Sequence, residues 1–277
     1  MPLVVKSSLR GSLAASLIAL SALATLSPLL MAPAAHAEEL SAQQIIDKAL
    51  SQGAAVAFQR GTARLDMTIV NPRGEAKRRA LEVKAMRGED GLLRSLVRFT
   101  KPADVAGIAF LVREKKGALP DQYVYVPAAK VVRRVAAGNA GSSFFGSDFT
   151  FGDLMPIPDS ERDKVKLTRL ADAEVGKQPT YVIEAVPHIE GAPYSKIVTY
   201  VDKKLLTPLK IEFFDPAGKA LKTLTVKKLK KIKGELIPID VVMKNTQTGS
   251  RTELVIEAPD PEAKLSDADF TEEAMQR

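Results

Sequence analysis

The chain has 277 residues, with 40 Lys+Arg against 33 Asp+Glu for a net charge of +7, 45 % hydrophobic and 5 % aromatic content, no Cys and two His. The missing cysteine excludes disulfides, thiolate nucleophiles, thiolate metal sites and an N-terminal lipidated Cys. His36 falls in a segment read below as removed, so His188 alone would have to serve a Ser-His-Asp triad or a histidine zinc site, and neither is assigned.

Residues 1–37 have the layout of a secretory signal: Lys6 and Arg10, an uncharged Leu/Ala-rich run over 13–31, and an A-x-A site at Ala35-His36-Ala37. The run approaches the roughly 20 residues that span a bilayer, so an uncleaved anchor is the competing reading. Ser27-Pro28 and Pro33 interrupt it where a peptidase needs extended chain, which favours cleavage after Ala37. With no twin-Arg pair, the expectation is export in the unfolded state to the periplasm of a Gram-negative bacterium. The remaining chain, 38–277, carries 38 basic against 33 acidic residues, or +5. That excess supports attraction to anionic surfaces but is too small to argue for nucleic acid. Its length predicts one domain.

Ser41-Ala42-Gln43-Gln44 is a capping-box signature, and Ile45, Ile46, Ala49, Leu50 and Ala54 follow on one side at helical spacing. From Gly61 the period becomes two. Leu65, Met67 and Ile69 alternate with Arg64, Asp66 and Thr68, then Asn71-Pro72-Arg73-Gly74 turns the chain into Leu81, Val83 and Ala85. Strand-like runs continue at 92–100, 108–113, 122–126 and 131–135. They resume at 165–171, 180–187, 196–201, 208–214, 220–231, 236–244 and 251–258, with Asp215-Pro216-Ala217-Gly218 repeating the first turn. About a dozen short strands on tight turns predict a mainly β, antiparallel meander that curls into a barrel or half-barrel. Parallel α/β is excluded because its crossovers need helices that are missing. The apolar fillers are mostly aliphatic and there is no Trp, so such a sheet encloses more volume than its side chains fill. The N-terminal helix plugs part of it, and the rest is a candidate apolar cavity.

Residues 136–158 read AAGNAGSSFFGSDFTFGDLMPIP, with Phe144, Phe145, Phe149 and Phe151 set among glycines. Glycine makes such a backbone mobile and phenylalanine makes it costly to leave in water. Two readings stand: a loop packed on the core by its own aromatics, and a hydrophobic lid over the cavity.

Phe99-Thr100-Lys101-Pro102-Ala103-Asp104, the run Tyr123 to Lys130 leading into Val132-Arg133-Arg134-Val135, then Phe145-Gly146-Ser147-Asp148-Phe149 and Asp153-Leu154 resemble consecutive blocks of the outer membrane lipoprotein-sorting protein family, the LolA-like periplasmic proteins. The resemblance implies an open antiparallel half-barrel of about 11 strands, covered by the N-terminal helix and short lid helices, whose concave face receives acyl chains. It also implies a setting beside RND-type transporters. Arg64 and Arg98 are the candidates for the lid-locking arginine of the lipoprotein carriers.

Other constellations carry less. His188, near Glu184 and Glu190, has no second ligand at metal-like spacing and reads as a solvated strand-edge residue. Ser142, Ser143 and Ser147 lack a G-x-S-x-G elbow. Asp148 is expected to cap a short helix starting near Phe149, and Asp153 to answer a basic neighbour such as Arg133. The run Lys222, Lys227, Lys228, Lys230, Lys231 and Lys233 needs a bulge near Lys227-Lys228 to keep its apolar neighbours inside. It reads either as a lysine-protected strand edge or as a docking surface for anionic headgroups or an acidic membrane partner.

The leading function is a non-enzymatic carrier that moves a lipid or lipoprotein acyl chains between membrane-bound partners, with an inner-membrane transporter, RND-type by the resemblance, and an outer-membrane acceptor as the candidate partners. The alternative is an accessory protein of such a transporter whose barrel is filled by its own residues; an enzyme acting on envelope lipids ranks third. Candidate ligand-binding residues are Leu65, Met67, Ile69, Leu81, Val83, Phe110, Tyr125, Phe144, Phe145, Phe149, Phe151 and Met155. Candidate docking residues are Lys227, Lys228, Lys230 and Lys231; no catalytic residue, metal, cofactor or nucleic-acid partner is assigned.

Overall fold

Ser41 and Gln44 form the reciprocal cap that the sequence encodes: the Ser41 N–H donates to Gln44 Oε1 at 2.8 Å and the Gln44 N–H to Ser41 Oγ at 3.2 Å. Helix α1 (Ala42–Ser51) follows. The computed structural model describes residues 39–51, 60–154 and 159–277, so Ala54 and the signal segment 1–37 lie outside the described residues. Ile45 and Ala49 are buried against Ile183 and Val201, whereas Leu50 is 39 % exposed, so the helix buries a narrower stripe than its spacing suggested.

All the alternating segments pair in one open antiparallel sheet of 13 strands, two more than the resemblance implied. None is left over, because an unpaired strand would leave backbone donors and acceptors unsatisfied. The strands are β1 (Gly61–Val70), β2 (Ala76–Arg87), β3 (Leu93–Lys101), β4 (Ala109–Lys115), β5 (Ala118–Val126), β6 (Val131–Arg134), β7 (Val165–Val175), β8 (Gln178–Pro187), β9 (Lys196–Asp202), β10 (Pro208–Phe214), β11 (Ala220–Ile232), β12 (Glu235–Asn245) and β13 (Arg251–Asp260). Their spatial order is β6-β5-β4-β3-β2-β1-β13-β12-β11-β10-β9-β8-β7. Sequence neighbours therefore pair throughout, except across the single break from β6 to β7, and β1 closes onto β13 at mid-sheet. The two edges are consecutive in the chain, so the segment joining them has to pass from one side of the sheet to the other.

Opposite residues of an antiparallel pair share a face, and the register sorts the side chains accordingly. Met67 opposes Leu254 and Leu65 opposes Leu81, which opposes Phe99; Val97 opposes Phe110. These form the inner face. Both proposed turns close, with Gly74 N–H to Asn71 O at 2.9 Å and Gly218 N–H to Asp215 O at 2.8 Å. The strand β11 slips register on both sides of Lys228, the bulge its lysine run required.

The outer face is covered at β2–β5 by the C-terminal segment. Phe270 and Met275 pack there on Leu96, Ala109 and Leu111, while Arg98 donates to the carbonyls of Ala274 and Met275 at 2.7 and 3.0 Å. Lid helices do not form over residues 142–154. The loop is instead a tight hairpin-like turn, with Phe144 N–H to Phe149 O at 2.7 Å, followed by a 3-10 turn over Gly152–Leu154. After residues 155–158 comes one helical turn, α2 (Asp159–Arg162). Among the described residues, no helix is long and apolar enough to cross a membrane.

Candidate functional site

The β6–β7 connection is the Phe-rich segment, and it lies on the inner face. Phe144 and Phe149 are 2 % and 1 % exposed, and Phe145 and Phe151 are half-buried. Phe144 sits 5.4 Å from Phe110 and 6.0 Å from Phe99 between ring centroids, and Phe151 sits 5.3 Å from Phe110. At the other side of the sheet, the Tyr194 ring packs tilted against Phe213 of β10, 5.0 Å between centroids, and its hydroxyl shares a 3.2 Å hydrogen bond with Thr150. A loop of a dozen residues thus touches strands from β4, through Phe110, to β11, through Lys222, which requires the sheet to curl around it.

Beneath the loop, a cavity of about 60 Å³ remains, lined by Leu65, Met67, Leu81, Val83, Phe110, Phe144, Phe149 and Leu254 among others. Sites for small molecules run to roughly 300–1,000 Å³. At this cavity the inner face is plugged by the chain's own phenylalanines.

Polar contacts fasten the plug. Lys222 Nζ donates to Asp153 Oδ2 at 2.5 Å and to the Asp148 carbonyl at 3.0 Å, with the Lys222 and Asp153 side chains 2 % and 1 % exposed. Tyr194 OH donates to Asp153 Oδ1 at 2.7 Å. Thr252 Oγ1 donates to Asp148 Oδ2 at 2.7 Å and Ser250 Oγ to Asp148 Oδ1, while the Asp148 N–H donates to Thr252 Oγ1 at 2.9 Å. Burial pushes the Lys222 ammonium below the ordinary lysine value, opposed by the attraction of Asp153. Burial, with Asp153 adding to it, raises the Tyr194 phenol well above its usual value. On the opposite flank, Arg79 donates to the Phe145 carbonyl and lies 5.6 Å from the Phe99 ring. Phe145 holds φ +49°, a strained value for a bulky side chain, ahead of Gly146 at φ +79°.

Several expectations are corrected here. Asp148 caps no helix, because none starts at Phe149; its carboxylate is taken by Ser250 and by Thr252 of β13. Asp153 meets Lys222 rather than Arg133, which is exposed on β6. Lys222 does not belong to a solvated run: it shares the parity of Leu224, which is buried on the inner face. Arg64 is exposed and Arg98 binds the C-terminal segment, so neither reaches the loop; Arg79 does. Tyr125 stands on the outer face, opposite Ala109, in the C-terminal cluster. Met155 lies outside the described residues. Ile69, Phe145 and Phe151 pack around the same inner cluster as the cavity residues. Lys227, Lys228, Lys230 and Lys231 are exposed, on the part of β11 that extends beyond its pairing with β10. His188 is exposed, and Ser143 and Ser147 stitch the turn by donating to the carbonyls of Ser147 and Phe144. Among the described residues, no group of three or more His, Asp or Glu is placed to hold a metal ion.

Inward-phased polar residues were the missed signal. Arg79 shares the parity of Leu81, Lys222 that of Leu224, and Thr252 that of Leu254, so each marks a point where the apolar face needs a partner from above.

An open antiparallel sheet folded around an apolar face and one helix is the LolA-like architecture. The structure is similar to a proposed outer membrane lipoprotein-sorting protein domain from Vibrio parahaemolyticus, at 29 % identity and TM-score 0.77 over 86 % of this chain and 98 % of that one. It is similar to a DUF1329 family protein from Desulfovibrio piger, at 26 % identity and TM-score 0.76 over 86 % of this chain and 100 % of that one. It shares its fold with a LolA superfamily protein from Nitrosomonas europaea, at 21 % identity and TM-score 0.66 over 85 % of this chain and 100 % of that one. Residues 91–277 match the model of a family described as "-like: Uncharacterized protein", and no curated protein matches the chain. The chain belongs to the family whose model residues 91–277 match, and its structure neighbours are LolA superfamily and outer membrane lipoprotein-sorting domain proteins.

Proposed function

We propose that the protein is a non-enzymatic periplasmic carrier that takes a lipid or lipoprotein acyl chains onto the inner face of its sheet and passes them between membrane-bound partners. The observation that carries this reading is the plug: four phenylalanines on one connecting loop pack onto the apolar face, over a cavity of about 60 Å³. Displacing the loop would expose Leu65, Met67, Leu81, Val83 and Phe110, and an acyl chain would repay that exposure at roughly 0.8 kcal/mol per methylene. Residues 1–37 act as a cleaved export signal in this reading, leaving 38–277 as one domain. Lys227, Lys228, Lys230 and Lys231 form the docking surface for an anionic membrane or transporter face.

The same small cavity favours a second reading, an RND-transporter accessory whose sheet stays plugged. Native mass spectrometry of protein gently prepared from periplasm separates the two. Adducts of lipid mass, released by organic solvent, are expected for the carrier. Lipid-free preparations that also fail to protect a fluorescent acyl probe would leave the accessory reading.

A further inference from the structure

The side-chain donors that meet Asp148 and Asp153 come from the body of the domain, and the anionic acceptors come from the loop. Lys222 on β11, Tyr194 ahead of β9, and Ser250 and Thr252 at the start of β13 converge on the carboxylates of Asp148 and Asp153 and on one loop carbonyl. When the loop leaves, both carboxylates leave with it. The ammonium of Lys222 stays behind, flanked by the rings of Tyr194 and Phe213 at 5.2 and 5.3 Å and in phase with buried Leu224. A cation in such surroundings without an anion is strongly unfavourable, and a neutral apolar cargo supplies none.

We propose that Lys222, Tyr194, Ser250 and Thr252 form an anion cradle that the loop's own Asp148 and Asp153 fill in the plugged protein and that the anionic headgroup of the cargo fills in the loaded one. The cargo is then an acyl amphiphile bearing a net negative phosphate or carboxylate. Loop and headgroup compete for the same donors, so cargo binding and loop release are one exchange. Its chemistry is a trade of one anion for another, which avoids ever baring Lys222. This inference rests on the carrier reading above.

The test measures binding of four probes by native mass spectrometry: lysophosphatidylglycerol, lysophosphatidylcholine of the same chain length, oleate and inorganic phosphate. The wild-type protein is expected to hold lysophosphatidylglycerol or oleate at least tenfold more tightly than lysophosphatidylcholine. Lys222→Met alone strands Asp153, so the decisive variant is Lys222→Met with Asp153→Leu, which removes the pair together and leaves Asp148 on Ser250 and Thr252. It is expected to bind the two lysophospholipids equally, while Lys222→Arg keeps the preference. Which of the two anionic probes binds more tightly identifies phosphate or carboxylate as the headgroup. Equal binding of the lysophospholipids by wild type, or a preference that survives in the double variant, overturns the cradle and leaves the carrier intact. Phosphate bound as tightly as lysophosphatidylglycerol overturns the headgroup assignment in favour of a free anion. Failure to bind any acyl probe overturns the carrier reading itself.

Discussion

Lys222 and Asp153 are the residues on which the site turns. An ion pair with both side chains at 2 % exposure or less is held among rings, where either charge alone is costly. Removing one partner of a buried pair typically costs about 3–5 kcal/mol, whereas replacing both by apolar groups is often neutral. Lys222→Met and Asp153→Leu are therefore each expected to lower the melting temperature by roughly 6–20 °C, at about 2–4 °C per kcal/mol for a chain of this size. The double replacement Lys222→Met with Asp153→Leu is expected to recover most of it. Thermal unfolding followed by circular dichroism reads the cycle; a loss in the double variant equal to the sum of the two single losses would mean that the pair is not coupled. Lys222 was hidden in the sequence by its company, since five further lysines follow it before residue 234. Parity distinguishes it: Lys222, Leu224 and Val226 alternate in step until the bulge, after which the lysines face solvent.

At the scale of elements, strands were legible because a sheet wet on one side alternates, and the pattern survives even where both flanks are charged. Two devices were not. The connection between the sheet edges needed a topology, which local periodicity does not contain. The outer face over β2–β5 reads from its strands as solvent-facing, yet Leu96 and Leu111 lie under the C-terminal segment, whose own apolar residues Phe270 and Met275 sit in short 3-10 turns without period. That segment is also held by charge. Lys84 donates to Asp269 at 2.8 Å and Arg94 pairs with Asp267 at 2.9 Å. The hydrogen bond from Lys84 comes first among the contacts that hold the Asp269 carboxyl below its ordinary value of 3.8. A carboxyl depressed on folding contributes stability above its unfolded value and loses it as pH falls through the folded one. Acid is therefore expected to loosen this segment first, as pH drops below about 4. Pepsin cleavage near Phe270 should accelerate there while the β signal in circular dichroism persists, and Lys84→Met should remove part of the pH dependence. Cleavage independent of pH down to 2 would mean that Phe270 and Met275 hold the segment alone.

For the molecule as a whole, an open sheet whose edges are joined by its own plug has a mechanical consequence. The curled sheet has no other route between β6 and β7, so residues 136–164 must remain attached at both ends while the middle lifts. Loading then depends on breaking contacts to β13 and β11 rather than on unfolding strands, and fastening the loop to β13 should block it. The chain contains no cysteine, so a pair introduced at Asp148 and Thr252, whose Asp148 Oδ2 and Thr252 Oγ1 atoms lie 2.7 Å apart, has no competing thiols. Oxidised to a disulfide or joined by a short bismaleimide, Asp148→Cys with Thr252→Cys is expected to lose at least tenfold in uptake of a fluorescent acyl probe. Reduction of the disulfide form should restore it. Each single-cysteine variant controls for loss of the hydrogen bonds, because both lack the crosslink. Undiminished uptake by the crosslinked protein would mean that cargo reaches the sheet without moving the loop, and the phenylalanines would then be permanent core.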